Sequence, residues 1–363
     1  MNASAANALS GGTQVFNDTS TLNASATNAV RGGYQSFRNT SALNASAANA
    51  VSGGTQYFYN TSALNASAAN AVSWGTQILY HSSRVLLGAH NATTSGAGLV
   101  FSNINGGVGG TLVLNGFSAG IGSITGALGG SGAIVNNGAT AAVLTVDGSV
   151  RGDSNFSGSI ADTNNAATGT LALVKDGSTT LTLTGTNTYT GGTTVNAGSL
   201  HLTGSGSLAS TGALAVGSAG AFDITAANGA RTVGALSGDA NGRLRLGANS
   251  LTVDQSTATA FAGTIGSTGG GLVKQGSGTL TLAGANTYTG GTTVQAGTLL
   301  IGSGGTGSVV GDVQVNSGST LGGSGTIGGN VAVASGATLS PGNSPGTLTI
   351  GGDLTLDAGS TTR

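Results

Sequence analysis

The sequence predicts an all-β fold, a parallel β-solenoid built as a single elongated rod, and three observations carry that expectation. The first is composition. Glycine fills 69 of 363 positions and only 6% of residues are charged, against the quarter or so usual in a globular domain. All eleven acidic residues are Asp, and lysine occurs only at Lys175 and Lys274. The strong helix formers Glu and Lys are thus nearly missing beside abundant Gly, Ser, Thr, Asn and Val. The second observation is tandem repetition at a constant interval, which means one structural unit per repeat with equivalent side chains stacked. The third is the texture inside each repeat, where short candidate strands alternate with Gly-Gly or Asn-Thr-Ser turns and no 3.6-residue apolar rhythm runs through them.

Residues 1–85 hold four repeats of 21 residues. Asn2, Asn23, Asn44 and Asn65 each precede Ala-Ser, and the same interval separates Gln14, Gln35, Gln56 and Gln77, and Phe16, Phe37, Phe58 and Leu79. One coil cannot bury its own apolar residues, so the Phe column is expected to point inward while backbones pair between coils about 4.8 Å apart. The Gln and Asn columns are expected to form amide ladders, with glycine at corners whose backbone angles other residues resist.

Residues 86–363 keep the character and change the length. LVKDGSTTLTLTGTNTYTGGTTVNAGSLHL at 173–202 returns at 272–301 as LVKQGSGTLTLAGANTYTGGTTVQAGTLLI. Upstream of each copy lie LTVD and F-x-G-x-I, at 144–147 and 156–160 and again at 251–254 and 261–265. This half therefore reads as modules of roughly a hundred residues, each of several coils. At the C-terminal end, strands beginning at Gly311, Gly329 and Gly352 alternate and then meet a glycine turn. At about 21 residues per coil the chain gives roughly seventeen coils, on the order of 80 Å.

A formal charge of −1 gives no electrostatic footprint for nucleic acid or an anionic membrane. There is no cysteine, hence no disulfide framework or thiolate chemistry. Polar residues interrupt every apolar run well short of the eighteen or so that a membrane helix needs. The N-terminus lacks the basic start and apolar segment of a signal peptide, so the chain reads as a fragment of a longer precursor.

The copies of GSGTLTLAGANTYTGGTTVQAGTL resemble the autotransporter-associated β-strand repeat of Gram-negative type V secreted proteins. The stretch GSGTIGGNVAVASGATLSPGNSPGTLTIGGDLTL resembles the passenger segment that precedes the translocating barrel in that family, and GGTQ or GGYQ with NTSALNAS in residues 1–85 resembles the repeats of diffuse-adherence autotransporter adhesins. The resemblance implies a right-handed parallel β-helix, carried through an outer-membrane barrel and displayed on the bacterial surface or released. Signal peptide and barrel both lie outside this chain. The expected role is that of an adhesin or self-association module, active in aggregation or biofilm, with a host-cell receptor or an identical passenger as partner. The alternatives are a passive stalk for a missing effector, and the passenger of a secreted enzyme.

Enzyme chemistry finds no foothold in the residues, so the chain is expected not to be an enzyme and to need no cofactor or metal. His-Glu-x-x-His is impossible without Glu, and neither lysine follows the glycine a phosphate-binding loop requires. In so glycine-rich a chain, G-x-G-x-x-G matches carry no weight. His81 and His90 flank the junction where the 21-residue repeat ends, and His201 lies on a strand between Leu200 and Leu202, which should point the other way. Lys175 and Lys274 are expected as solvated charges at a corner. Trp74 replaces the first Gly of GGTQ and is expected to pack where the two repeat types meet.

Two candidate sites remain. Arg151, Gly152 and Asp153 form the recognition tripeptide that the resemblance links to integrins, in a segment two residues longer than its counterpart in the second module and therefore expected as an exposed loop. Thr19, Thr40 and Thr61 form one hydroxyl column with Ser82, and Ser20, Ser41, Ser62 and Ser83 form another. Such hydroxyls are expected to make a hydrogen-bonding ladder at a corner. The resemblance implies that they also accept heptose from a dedicated heptosyltransferase.

Overall fold

A computed structural model describes residues 1–363 except 6, 94–95, 103–108, 128–131, 151, 164 and 343–345. Among the described residues there is no helix, and every pairing between strands is parallel. The strands stack as a β-solenoid of about 16 turns. The chain divides into two units, Met1–Gly192 and Thr193–Arg363.

In the first unit the 21-residue period is the strand register itself. Thr21–Ala24 pairs with Ala42–Ala45, which pairs with Ala63–Ala66, and Asn23, Asn44 and Asn65 fall in line. A second face runs Thr13–Phe16, Tyr34–Phe37, Val51–Phe58 and Val72–Tyr80, with Gln14, Gln35, Gln56 and Gln77 in line. Both columns make the expected ladders. Each Gln Nε2 donates to the preceding Gln Oε1 at 2.9–3.0 Å, and each Asn Nδ2 to the preceding Asn Oδ1 at 2.7–2.9 Å. Phe16, Phe37 and Phe58 stack inside with ring centroids 4.8 and 5.1 Å apart, and Leu79 continues their column.

Asparagine rather than glycine turns most corners of these coils. Asn28, Asn49, Asn70 and Asn91 hold φ between 50 and 56°, and Asn39 and Asn60 hold φ of 60 and 58° at the next corner. Asn tolerates this left-handed conformation better than other side-chain-bearing residues, and Asn60 Nδ2 ladders to Asn39 Oδ1 at 3.0 Å. Beyond these repeats the pairs Arg84 with Thr111, Thr111 with Ala133 and Ala133 with Ser159 give offsets of 27, 22 and 26 residues. The coil lengthens at its turns while the buried column Leu64, Val85, Leu112, Ile134, Ile160 continues unbroken.

The second unit repeats the plan with shorter strands. One face runs Leu251–Asp254, Leu272–Gln275, Thr292–Val294, Val313–Val315, Val331–Val333 and Leu354–Leu356. Another runs Thr279–Leu282, Thr298–Ile301, Thr320–Gly323 and Thr338–Pro341. At its start Thr193–Leu202 pairs with Leu214–Asp223, which pairs in turn with Leu236–Gly238 and Arg243–Arg245.

Candidate functional site

The two lysines correct the sequence reading. They are not solvated corner charges but fully buried side chains. Lys274 stands in register between Val253 and Val294, and Lys175 beside Val146, all in inward columns. Strand alternation explains it: in Leu-Val-Lys the lysine falls on the same face as the inward leucine. Lys274 Nζ donates to the carbonyls of Gln275 at 2.6 Å, Gly276 at 2.8 Å and Ala296 at 3.2 Å. Lys175 Nζ donates to the carbonyls of Asp176 and, at 2.9 Å, Gly177. Burial pushes both ammonium groups below their ordinary range, opposed chiefly by Asp176 near Lys175 and Asp254 near Lys274.

The other polar residues of the thirty-residue repeat are structural as well. Asn286 Oδ1 accepts the amide of Ile265 at 2.9 Å, and its Nδ2 donates to the carbonyls of Gly284 and Ser308. Asn187 holds Ile160 and Gly185 in the same way. Tyr189 and Tyr288 are buried, and the Tyr288 hydroxyl lies 2.6 Å from Thr292 Oγ1. The most repetitive polar residues therefore staple coil to coil.

The hydroxyl columns divide. Ser41, Ser62 and Ser83 are fully buried and their Oγ atoms have no hydrogen-bond partner, so they form no ladder and present no acceptor surface in the folded coil. Their place after the turn, in register with the first inward position, takes them inside. Ser20, on the first coils, is exposed and donates to the Asn17 carbonyl at 2.6 Å. Thr19, Thr40 and Thr61 are exposed, with Thr40 Oγ1 donating to the Asp18 carbonyl at 2.9 Å and Thr61 Oγ1 to that of Asn39 at 3.1 Å.

Of the recognition tripeptide, Arg151 lies outside the described residues. Gly152 turns with φ 72° and open space where a Cβ would stand. Asp153 is exposed, and its Oδ1 accepts the Thr180 amide of the next coil at 2.7 Å. The three histidines occupy three separate places. His90 Nδ1 accepts the Ser118 amide at 3.1 Å, His81 turns a corner with φ 54°, and His201 faces outward with Nε2 3.9 Å from Asp223. No group of three or more metal-ligating side chains occurs among the described residues.

What sequence reasoning missed is an aromatic face on the first unit. Tyr34 (55% exposed), Tyr57, Tyr59 and Tyr80 point outward from adjacent coils. Tyr59 and Tyr80 stack at 4.6 Å with planes 1° apart, while Tyr57 lies 6.4 Å from both Tyr34 and Tyr59. The Arg38 guanidinium sits 5.7 Å over the Tyr59 ring, a cation–π contact. Burial, and next the neighbouring phenol of Tyr80, push the Tyr59 hydroxyl up. Trp74 meets the bare backbone of Gly96, where an added Cβ would fall 3.0 Å from Cδ2, yet it is 63% exposed rather than packed away at the junction as expected. Val15 (51% exposed) stands in register with Ser36, Tyr57 and Ile78, extending the same face. Four of the chain's six tyrosines thus share one face. The signal in the sequence was the 21-residue step from Tyr59 to Tyr80, one position out of phase with the Phe column.

A family model described as passenger-associated-transport-repeat matches residues 173–202 and 272–301. No curated protein and no solved structure matches the chain. With two copies of that repeat set in stacks of parallel coils, the chain carries the sequence repeat and the fold of an autotransporter passenger.

Proposed function

We propose that the chain is a non-enzymatic passenger segment, displayed on the bacterial surface or released, that works by contact as an adhesin or self-association module. The observation that carries this reading is the face of Tyr34, Tyr57, Tyr59, Tyr80, Arg38 and Trp74. Tyrosine, tryptophan and arginine are the residues that dominate contact energies, because large rigid rings bury much area for little lost freedom. In a chain this poor in charge, their concentration on one face supports an interface with a host-cell receptor or with an identical passenger. The passenger repeat supports surface or secreted localisation and a barrel partner supplied by the precursor. A heptosyltransferase partner now rests on the exposed Thr19, Thr40, Thr61 and Ser20, not on the buried serines.

The test is to display the passenger on a bacterium that does not aggregate and to compare it with a Tyr57→Ser, Tyr59→Ser, Tyr80→Ser variant at equal surface level. Gain of cell settling, biofilm or host-cell attachment with the native face, lost in the variant, is the expected result. Equal behaviour of both with an empty barrel favours the stalk reading, which the coil stack itself also suits.

A further inference from the structure

The outer face of the second unit holds an open groove that begins at the end of the first repeat copy. Arg243 and Arg245 project from Arg243–Arg245 on either side of the inward Leu244, roughly 7 Å apart along the strand. On one side lies a cavity of about 310 Å³ over Ser199, Ser218, Gly220 and Asn241, and on the other a smaller one of about 190 Å³ over Thr264 and Gly266. The register explains the depressions. Ser199, Ala221, Arg243 and Thr264 form one outward column, and His201, Asp223, Arg245 and Gly266 the next, so Arg243 is flanked by Ala221 and Thr264 and Arg245 by Asp223 and Gly266.

In this groove the spare cation is Arg243. The Lys274 ammonium is spent on three carbonyls, and the Arg231 guanidinium on those of Gly204, Gly206, Gly229 and Ala230. Arg245 Nη1 lies 3.9 Å from Asp223, whose Oδ1 is held by the amide and hydroxyl of Thr225. Arg243 is exposed and has no partner among the described residues. An open guanidinium fork suits a carboxylate. Asp223 beside Arg245, and Asp239 on the adjoining coil, where Oδ2 accepts the Ser218 amide at 3.2 Å, disfavour a dense polyanion. They suit hydroxyl donors, as do the Ser199 and Ser218 hydroxyls and the Asn241 amide. The groove has no aromatic lining to stack a neutral sugar, and it spans four coils, about 14 Å, too long for a single ion.

We propose that this groove binds a carboxylate-bearing sugar chain, with Arg243 receiving the carboxylate, Arg245 oriented by Asp223, and Asn241, Ser199 and Ser218 holding ring hydroxyls. The site lies on the second unit, so its failure leaves the reading of the tyrosine face untouched. Calorimetric titration of the chain with a tetragalacturonate is the test, with the carboxyl-reduced tetramer, a heparin-derived tetrasaccharide and inorganic phosphate as comparison probes. Tetragalacturonate is expected to bind and the reduced tetramer not to. Arg243→Ala should weaken binding about tenfold, the value of one exposed charge-assisted contact, and Arg243→Lys should recover only part of it. Because Arg243 is exposed, the melting temperature should not move. Absence of tetragalacturonate binding, unchanged affinity in Arg243→Ala, or equal affinity for the sulfated probe or for phosphate would each overturn the proposal.

Discussion

Replacing Lys274 with methionine keeps the buried stem and removes only the ammonium, so it isolates the carbonyl cage. The native Nζ donates to three carbonyls, and the side chain is fully buried. Of those acceptors the Gln275 carbonyl keeps a second donor, the Gln255 amide at 3.3 Å, while those of Gly276 and Ala296 are orphaned. Both sites are only partly buried, so each orphaned acceptor costs toward the low end of about 1–3 kcal/mol. Against this, methionine escapes the desolvation of the ammonium, itself several kcal/mol. The native ammonium recovers only part of that cost through its three bonds, each about 1.5–3 kcal/mol for a charged donor, and its lowered pKa marks the remainder. The net expectation is a loss of about 1–3 kcal/mol. For a unit of this size that lowers the melting midpoint by several degrees. Denaturant and thermal unfolding followed by far-UV circular dichroism measure it. A variant as stable as the native chain, or more so, would refute the cage as a stabilising device and make the ammonium a net burden.

Three further outcomes follow from the same coils. Ser62→Ala removes a buried hydroxyl with no partner and should raise stability by about 1 kcal/mol in the same unfolding assay. Gln56→Ala breaks three bonds, to Gln35 at 2.9 Å and from Gln77 at 3.0 Å in the ladder and to the Gly53 carbonyl at 3.1 Å, and should cost about 2–3 kcal/mol, read by denaturant midpoint. The pH dependence has a sign. Because burial lowers the Lys274 pKa from its ordinary 10.5, the unfolded chain binds more protons in the window beneath that value. Stability should therefore rise as pH climbs toward 10.5, and lose that slope in Lys274→Met. Tyr288 acts oppositely: burial raises its pKa from 10.0, so stability falls once pH exceeds 10 and the unfolded phenol ionises, an effect that Tyr288→Phe removes.

The coil register was legible because the repeat has no insertions, so the interval between Gln35 and Gln56 in sequence is the interval between neighbours in space. The Phe column and both amide ladders follow from that one number, and the passenger repeat was legible separately, from two matching copies 99 residues apart. The lysines were misread because the habit of placing charge outside was allowed to outweigh alternation. The Leu-Val-Lys triplet already put Lys274 with Leu272 on the inner face, and only the turn carbonyls that make the position tolerable were invisible in the sequence. The buried serines were misread for a related reason. A hydroxyl in an Asn-Thr-Ser turn looks solvated, but the turn ends one residue earlier, at the exposed threonine. The tyrosine face needed three-dimensional placement, since Tyr34 and Tyr57 meet diagonally across coils and share no repeat position. The Arg243 groove depends on which residues fall beside it in register, and the coils of the second unit, whose offsets vary around 21 residues without a repeated sequence at this place, hide that register from inspection.

The amide ladders, the Phe column and the tyrosine face depend on parallel coils stacked at a 21-residue register, and an engineered disulfide tests this most directly, because the chain has no cysteine of its own. Ala42 and Ala63 are register partners on a partly exposed face. Under mild oxidation an Ala42→Cys, Ala63→Cys variant should close an intramolecular bridge, since adjacent strands lie about 4.8 Å apart, within disulfide reach. Ala42→Cys with Asn65→Cys, offset by two residues along the strand and so about 8 Å apart, should not. Bridging of both pairs at equal rates, or of the second pair alone, would contradict the register and with it the ladders and the tyrosine face.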